Sequence, residues 1–450
     1  MKRALLLLTL FLVGCGTATG PDVESVENRD RDRPTEETVE IIEESDRVGI
    51  GYDWGSMADQ GFTRSNDPLI EADLNGNGEA DLITGLHMQS TLIVVLDGET
   101  TFHQKDRGFG YSFASGDFNG DGYDDLAVGQ AVEQSVVHVM LGGPDFDGST
   151  SYTIEVEGDN HFGFDLDAGD LNGDSYDDLA VGAPGSPTDD SRGEVYSYFG
   201  SEDRLQQTHR VTSTRRYTKL GTRVKVSDVL DNGHEDLILS SMFYDGPKTS
   251  RGAVWVLEGD VSGTVEQVAR VTFNGSHDED QLAGFGVGDV NGDGERDVVL
   301  GARKHNHPDF YSNYMGKAYV IYGPFRGEYD VERDADVHLN PYERSSDNSN
   351  IGTFASGRFG QAIEVSDVNG DGTDDVAVGQ FEKNRVYVLH GSADLPSDVL
   401  WNDYDQILTD EDGRHFGRAL ANVGGDLVVS DPAKSVNSNQ YGELHFYTNL

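Results

Sequence analysis

With Cys15 as its single cysteine, this 450-residue chain can form no intrachain disulfide. Any stability it needs in an oxidising compartment must come from packing and from metal. Positive charge is also scarce. Lys and Arg total 33 against 81 Asp and Glu, a formal net charge of −48. Phosphate backbones are bound by cations, so this balance excludes nucleic acid as a partner. It points to bound cations, to a salt-tolerant setting, or to a merely well-solvated acidic surface. Beyond the N-terminal segment no apolar run is long enough to span a bilayer, and mean hydropathy is negative. What the chain has in quantity is glycine, 56 residues, which signals many tight turns. The length could hold two or three ordinary domains, or one long all-β repeat.

The N-terminus carries Lys2 and Arg3, then an apolar run from Ala4 to Gly14 that stops at Cys15. A charged start, a short apolar stretch and a small residue before the break read as a signal peptide. Leu12-Val13-Gly14-Cys15 resembles the lipobox of bacterial lipoproteins, which implies lipidation at Cys15 and a membrane anchor. Gly16 rather than Asp after the cysteine implies, by the same resemblance, an outer-membrane lipoprotein of the cell envelope. The expected organisation is a signal peptide over 1–14, an acidic flexible tether over 15–45, and a folded unit over 46–450.

That unit is repetitive. The segment Asp117-Phe118-Asn119-Gly120-Asp121-Gly122-Tyr123-Asp124-Asp125-Leu126-Ala127-Val128-Gly129 recurs from Asp73, Asp170, Asp289 and Asp367, and in degraded form from Asp228. Successive starts are 44, 53, 58, 61 and 78 residues apart. A seventh unit keeps the frame without the acidic loop. Each unit reads as four short strands: A before the loop, B after it, C rich in aromatics, and D before the next unit. Small residues (Ala72, Gly116, Gly169, Ser227, Gly288, Ser366) end strand A, as a crowded inner strand requires. The fold class is therefore all-β, a seven-bladed β-propeller of four-stranded antiparallel blades with calcium-binding A–B loops.

These residues resemble the FG-GAP repeat of integrin alpha heads. Phe109-Gly110, Phe162-Gly163, Phe359-Gly360 and Phe416-Gly417 supply its first element, and Gly182-Ala183-Pro184 and Gly301-Ala302 its second. Blade 4 departs with Leu220-Gly221, blade 1 has no Phe-Gly, and Phe285-Gly286 lies too close to Asp289. Blade 7 reaches only its strand C by Leu450, so a segment within residues 37–53 is expected to supply its outer strand and close the ring.

The pattern D-x-N-x-D-G-x-x-D places oxygen donors at positions 1, 3, 5 and 9 and a carbonyl at 7, a donor set suited to Ca²⁺, with glycine at 6 for the turn. Complete loops are Asp117/Asn119/Asp121/Asp125, Asp289/Asn291/Asp293/Asp297 and Asp367/Asn369/Asp371/Asp375; Asp170/Asn172/Asp174/Asp178 has Ser175 at position 6. Carbonyl donors fall at Tyr123, Tyr176, Glu295 and Thr373. Asp73/Asn75/Asn77/Asp81 has one charge fewer, and Leu230 spoils the blade 4 loop. About four to five structural ions are expected, each neutralising clustered carboxylates and pinning an A–B turn.

A–B and C–D loops share one face of a propeller, leaving B–C and D–A connections to the other. There the loops over 183–192, 241–251, 302–315 and 431–441, with the segment 341–356, are long. They carry Phe243, Tyr244, Arg303, Lys304, His305, His307, Phe310, Tyr311, Tyr314 and Tyr342, a basic and aromatic group out of character for so acidic a chain. His305-x-His307 could hold a transition metal or be a solvated loop. The expectation is a monomeric, non-catalytic binding or adhesion module that recognises a protein or glycan with this face. Fungal propeller lectins carry similar loops. The alternatives are a structural subunit of an envelope complex and a polysaccharide-active enzyme, although neither G-x-S-x-G nor H-E-x-x-H occurs.

Overall fold

The computed structural model of the protein describes residues 42–44, 47–50, 69–86, 90–132, 135–157, 160–185, 191–244, 250–306, 314–341, 357–410, 415–436, 439–448 and 450. These form seven sheets, each led by an inner strand A hydrogen-bonded to B, B to C and C to D, all antiparallel. Inner strands of consecutive sheets touch all the way round. Strand A of blade 7 (Leu420–Val423) lies against strand A of blade 1 (Ile70–Ala72), so the chain is a closed seven-bladed β-propeller. The lipobox, Cys15 and most of the tether fall outside the described residues.

Closure follows the expected route. Arg47–Ile50 pairs antiparallel with strand C of blade 7 (Asn439–Tyr447), Val48 opposite Leu444, and supplies strand D. Ile42–Glu44 then adds a fifth strand outside it. One expectation is corrected. Residues 431–441 of blade 7 are not a loop: strands B (Asp426–Val436) and C continue as a paired hairpin out to Val436 and Asn439. Each blade has its four antiparallel strands, and some sheets gain a further one at the edge. The C–D connections of blades 4, 5 and 6 reach back and lay short parallel strands, Gly263–Thr264, Gly327–Asp330 and Asp398–Val399, on the outer strand of the preceding blade. The backbone edge of blades 3, 4 and 5 is covered in this way, which protects it from pairing with another chain.

The core is divided rather than single. Strand B is buried on both faces in blades 2 to 6, and the main apolar clusters each sit between two neighbouring blades. The Phe-Gly element explains the spacing. Phe109, Phe162, Phe359 and Phe416 are fully buried, as are Leu220 and Leu282 in the same place in blades 4 and 5. Thus the counterpart of Phe-Gly in blade 5 is Leu282-Ala283, not Phe285-Gly286. The glycine after the aromatic is left-handed, at φ +82° in Gly163 and +85° in Gly360. Its N–H bonds the strand B carbonyl of its own blade, Gly163 to Gly182 at 3.1 Å and Gly360 to Gly379 at 3.2 Å. Its carbonyl presses on the strand B glycine of the preceding blade: a Cβ on Gly129, Gly182, Gly301 or Gly379 would collide with it. The second glycine of the repeat is therefore the seat of the first one in the next blade.

Candidate functional site

The acidic loops lie on one face and share one internal geometry. In blade 2 the Asp117 carboxylate is the hub: the N–H of Asp121 donates to its Oδ1 at 3.0 Å and the N–H of Gly122 to its Oδ2 at 2.9 Å. Asn119 Oδ1 accepts from Asp121 as well, at 2.9 Å. The same three bonds recur in blade 3 around Asp170, with Asn172 and Asp174. They recur in blade 5 around Asp289, with Asn291 and Asp293, and in blade 6 around Asp367, with Asn369 and Asp371.

The sequence pattern treats positions 3 and 5 as free donors, whereas the structure shows them partly spent on their own loop. The position 3 residues Asn119, Asn172, Asn291 and Asn369 are half-buried, and the position 5 residues Asp121, Asp174, Asp293 and Asp371 are exposed. The amides of Asn119, Asn172 and Asn291 donate to Oδ2 of Asp121, Asp174 and Asp293, each at 3.0 Å. In blade 6 the Asn369 amide turns to Asp375 Oδ1 at 3.2 Å instead. The other oxygen of position 5 takes the N–H of position 7: Tyr176 to Asp174 at 3.0 Å, Glu295 to Asp293 and Thr373 to Asp371 at 2.9 Å. A cation would replace the side-chain bonds between positions 3 and 5 and could leave the backbone bonds to position 1 in place.

Position 9 is different in kind. Asp125 and Asp178 are completely buried, each bonded by the N–H of position 2 and by a C–D turn glycine, Gly142 at 2.8 Å and Gly200 at 2.9 Å. Burial pushes their carboxyls up to about 7, and those of Asp81 and Asp297 to about 6, against the backbone hydrogen bonds that hold them down. Such carboxylates lack compensating positive charge, and a hard divalent cation fits the all-oxygen donor set around them.

Position 8, which carries no signal in the sequence pattern, joins each loop to the one before it. Asp124 Oδ2 accepts the N–H of Asp73 at 2.7 Å, Asp177 that of Asp117 at 2.8 Å and Asp374 that of Asp289 at 2.8 Å. The position 8 N–H returns a bond to the same residue's carbonyl, Asp177 to Asp117 at 3.2 Å and Asp374 to Asp289 at 3.0 Å. The small residue ending strand A makes room for this acid: a Cβ on Gly116 would lie 2.7 Å from Asp177 Oδ2. Blade 5 has Arg296 at position 8, directed to Asp374 at 3.4 Å.

The two weak loops diverge. In blade 1 the amides of Asn75 and Asn77 both donate to Asp97, which sits in the C–D turn and also bonds Asp81 through its backbone. Asp97 returns from outside the loop the charge that Asn77 removed. In blade 4 the Asn232 amide donates to Asp236 Oδ1 at 3.1 Å, taking up an oxygen the pattern reserves for a cation.

On the opposite face the expected residues separate. Tyr244 is buried edge-on against Trp255, with Arg215 over its ring at 4.7 Å. Arg303 is buried too, donating to Gln281 at 2.7 Å and to Gln361 at 3.3 Å; burial, with Arg358 and Arg418 nearby, lowers its pKa to about 9. His305 is buried against Asp280 at 3.1 Å. These three belong to the packed floor of this face rather than to a raised wall. Tyr314 is half-buried beneath Lys304, 4.7 Å from its ring. His307, Phe310, Tyr311 and Tyr342 lie outside the described residues. An open polar cleft of about 710 Å³ between blades 2 and 3, with Glu155, Arg192, Glu194 and Arg210 in its lining, had no signal in the repeat.

The FG-GAP repeat family matches residues 109–140, 162–198 and 359–389. The chain is 29% identical to integrin alpha-5 of Xenopus laevis over 43% of its own length and 20% of the relative's. It is 34% identical to phosphatidylinositol-glycan-specific phospholipase D of Mus musculus over 32% of its length and 20% of that protein's. It thus spans about a fifth of each of these curated relatives. Among solved structures, the BBS1N chain crystallised in complex with ARL6DN superposes with a TM-score of 0.51 at 10% identity, covering 86% of this chain and 93% of that one. With its repeated Phe-Gly hinges, stapled acidic loops and closed ring, the chain is a seven-bladed β-propeller that carries FG-GAP repeats and is similar to integrin alpha subunits.

Proposed function

We propose that this chain is a calcium-stabilised, non-catalytic binding module, anchored at the cell envelope through Cys15, that engages a protein or glycan with the face opposite its acidic loops. One observation carries the reading: the loop side chains are spent on their own backbones and on the neighbouring loop, so cation binding there serves the ring. Recognition then falls to the other face, where Lys304, Arg358 and Arg418 gather around Arg303 in a chain of net charge −48. A cationic patch in an acidic protein selects acidic partners and steers them by long-range attraction. The ions would be held by the loops of blades 2, 3, 5 and 6, and by blade 1 with Asp97.

The test is a glycan array and an envelope pull-down, each with and without chelator, using the native chain and a Lys304→Glu, Tyr314→Ala double variant. Binding to an acidic glycan or protein that drops at least tenfold in the variant, at unchanged melting temperature, supports the reading. Equal binding by both proteins overturns it. Similarity to the phospholipase D gives the enzymatic alternative its support. Release of the glycan head group from glycan–lipid vesicles, with phosphatidic acid left in the membrane, would establish that alternative.

A further inference from the structure

We propose that His277, His305 and Glu332, backed by Asp280, form a binding site for a zinc-like divalent transition cation at the seam of blades 4 and 5. It is separate from the calcium loops and borders the partner surface proposed above, the Lys304 N–H bonding the Asp280 carbonyl at 3.1 Å. Three elements converge there. His277 follows the outer strand of blade 4 (Val271–Asn274), and His305 follows strand B of blade 5 (Asp297–Ala302). Glu332 sits in the one-turn helix Val331–Asp334, which the strand Gly327–Asp330 brings back onto blade 4. A ligand atom of each lies within 4.8 Å of those of the other two. Bond lengths of about 2.1 Å need ligand atoms ~3.4 Å apart in a tetrahedron. The side chain of His277, half exposed, can close that gap by turning.

The support behind these ligands is what separates the cluster from a chance grouping. Asp280, almost wholly buried, takes the Nδ1 atoms of both imidazoles, His305 at 3.1 Å and His277 at 3.3 Å, and the backbone N–H of His277 at 2.8 Å. An Nδ1–H held by a carboxylate leaves Nε2 as the lone-pair nitrogen and fixes the ring, the arrangement that backs metal-bound histidines. Glu332 accepts from Lys317 Nζ at 2.9 Å and from Tyr319 Oη at 2.8 Å, which holds its carboxylate in place beside the two imidazoles.

The neighbouring seam shows what the architecture needs without a metal. Between blades 3 and 4 the matching helix Val265–Val268 carries Glu266, which accepts from Ser213 Oγ at 2.6 Å and the Thr214 N–H at 3.0 Å. Between blades 4 and 5 Ser276 is bonded instead by the N–H of Glu332 at 2.9 Å, and itself donates to Asp330 at 2.6 Å. The Glu332 carboxylate turns to Lys317 and Tyr319, and by strand register Ser276 stands where Thr214 stood and His277 where Arg215 stood. The seam of blades 3 and 4 stacks Arg215 on Tyr244 at these positions, whereas that of blades 4 and 5 places two histidines there, with a buried aspartate behind them. Nitrogen donors with a carboxylate select a borderline cation such as Zn²⁺ over Ca²⁺.

The experiment saturates the loops with excess Ca²⁺, titrates the full chain with Co²⁺, and then displaces it with Zn²⁺ under calorimetry. The expected result is the visible d–d absorption of low-symmetry cobalt, one equivalent per chain, abolished in His277→Ala and weakened about 10–100-fold in Asp280→Asn. Because His277→Ala also removes a partner of the buried Asp280, its melting temperature is measured beside that of His277→Gln, which keeps a side-chain donor without the imidazole, while His390→Ala serves as a control that leaves the titration unchanged. No saturable cobalt signal in calcium, or a signal that survives His277→Ala, overturns the proposal.

Discussion

At the scale of single residues, the acidic loop is a device for holding backbone in a left-handed shape. Positions 4 and 6 both have positive φ, +72° and +89° for Gly120 and Gly122, +77° and +73° for Gly173 and Ser175. A side chain there costs roughly 1–2 kcal/mol before any relaxation. Ser175→Gly removes that strain and adds unfolded-state entropy, so a net gain of about 0.5–1 kcal/mol is expected, read as a rise of one to three degrees in the melting midpoint by calorimetry. The same change at Ser201, which is not left-handed and whose hydroxyl donates to the Arg204 carbonyl at 2.7 Å, should lower the midpoint instead. Position 8 is the second residue-scale case. Asp177→Ala deletes a charge-assisted bond to the N–H of Asp117 and should cost about 1.5–3 kcal/mol in denaturant unfolding. A loss below half a unit would mean the loops are joined by their backbone bonds alone. Positions 1, 3, 5 and 9 of the acidic loops could be read directly because they recur at a fixed spacing in the repeat. Asp177, Asp97 and His277 could not, because each acts on a partner in a different strand or blade.

Among elements, the strand from the N-terminal segment does the most for its size. Arg47–Ile50 pairs with strand C of blade 7 as its fourth strand, inside Ile42–Glu44. Deleting residues 1–50 exposes the edge of strand C, and the melting temperature by circular dichroism should fall by several degrees, while deleting 1–37 should leave it unaltered. Equal midpoints for the two truncations would show that the fourth strand contributes nothing. The closure was expected within residues 37–53, and the strand forms at Arg47–Ile50, past the alternating stretch 38–42, of which 38–41 lie outside the described residues. The straps from blades 4, 5 and 6 were not readable. Gly263–Thr264 and Asp398–Val399 are two residues long, too short to carry a period, and pair in parallel with a strand of another blade.

For the molecule as a whole, stability is spread over interfaces between blades, and the loops form a connected arc on one face. Because bound ions favour only the folded state, each site held at a hundred times its dissociation constant adds about 2.7 kcal/mol. Chelation should therefore lower the melting temperature by several degrees or more, with partial recovery when Ca²⁺ is restored. A melt indifferent to chelator would remove the cation from the account. The Asp236→Asn variant in blade 4, where Asn232 already donates to the carboxylate, should change the calcium dependence less than Asp125→Asn in blade 2.

The sequence by itself determined the repeat, its seven-fold count, the places of the acidic loops and the route of closure. All of these follow from local periodicity, from glycine geometry and from the chemistry of a single loop. Only the tertiary structure decided which residues meet across blades. It placed Asp177 against Asp117, seated Gly360 on Gly301, buried Tyr244, Arg303 and His305, and brought His277 and Glu332 beside His305. The physical reason is that a propeller places residues some 50 to 85 positions apart in contact through the register of one blade on the next, and no local pattern in the chain encodes that register.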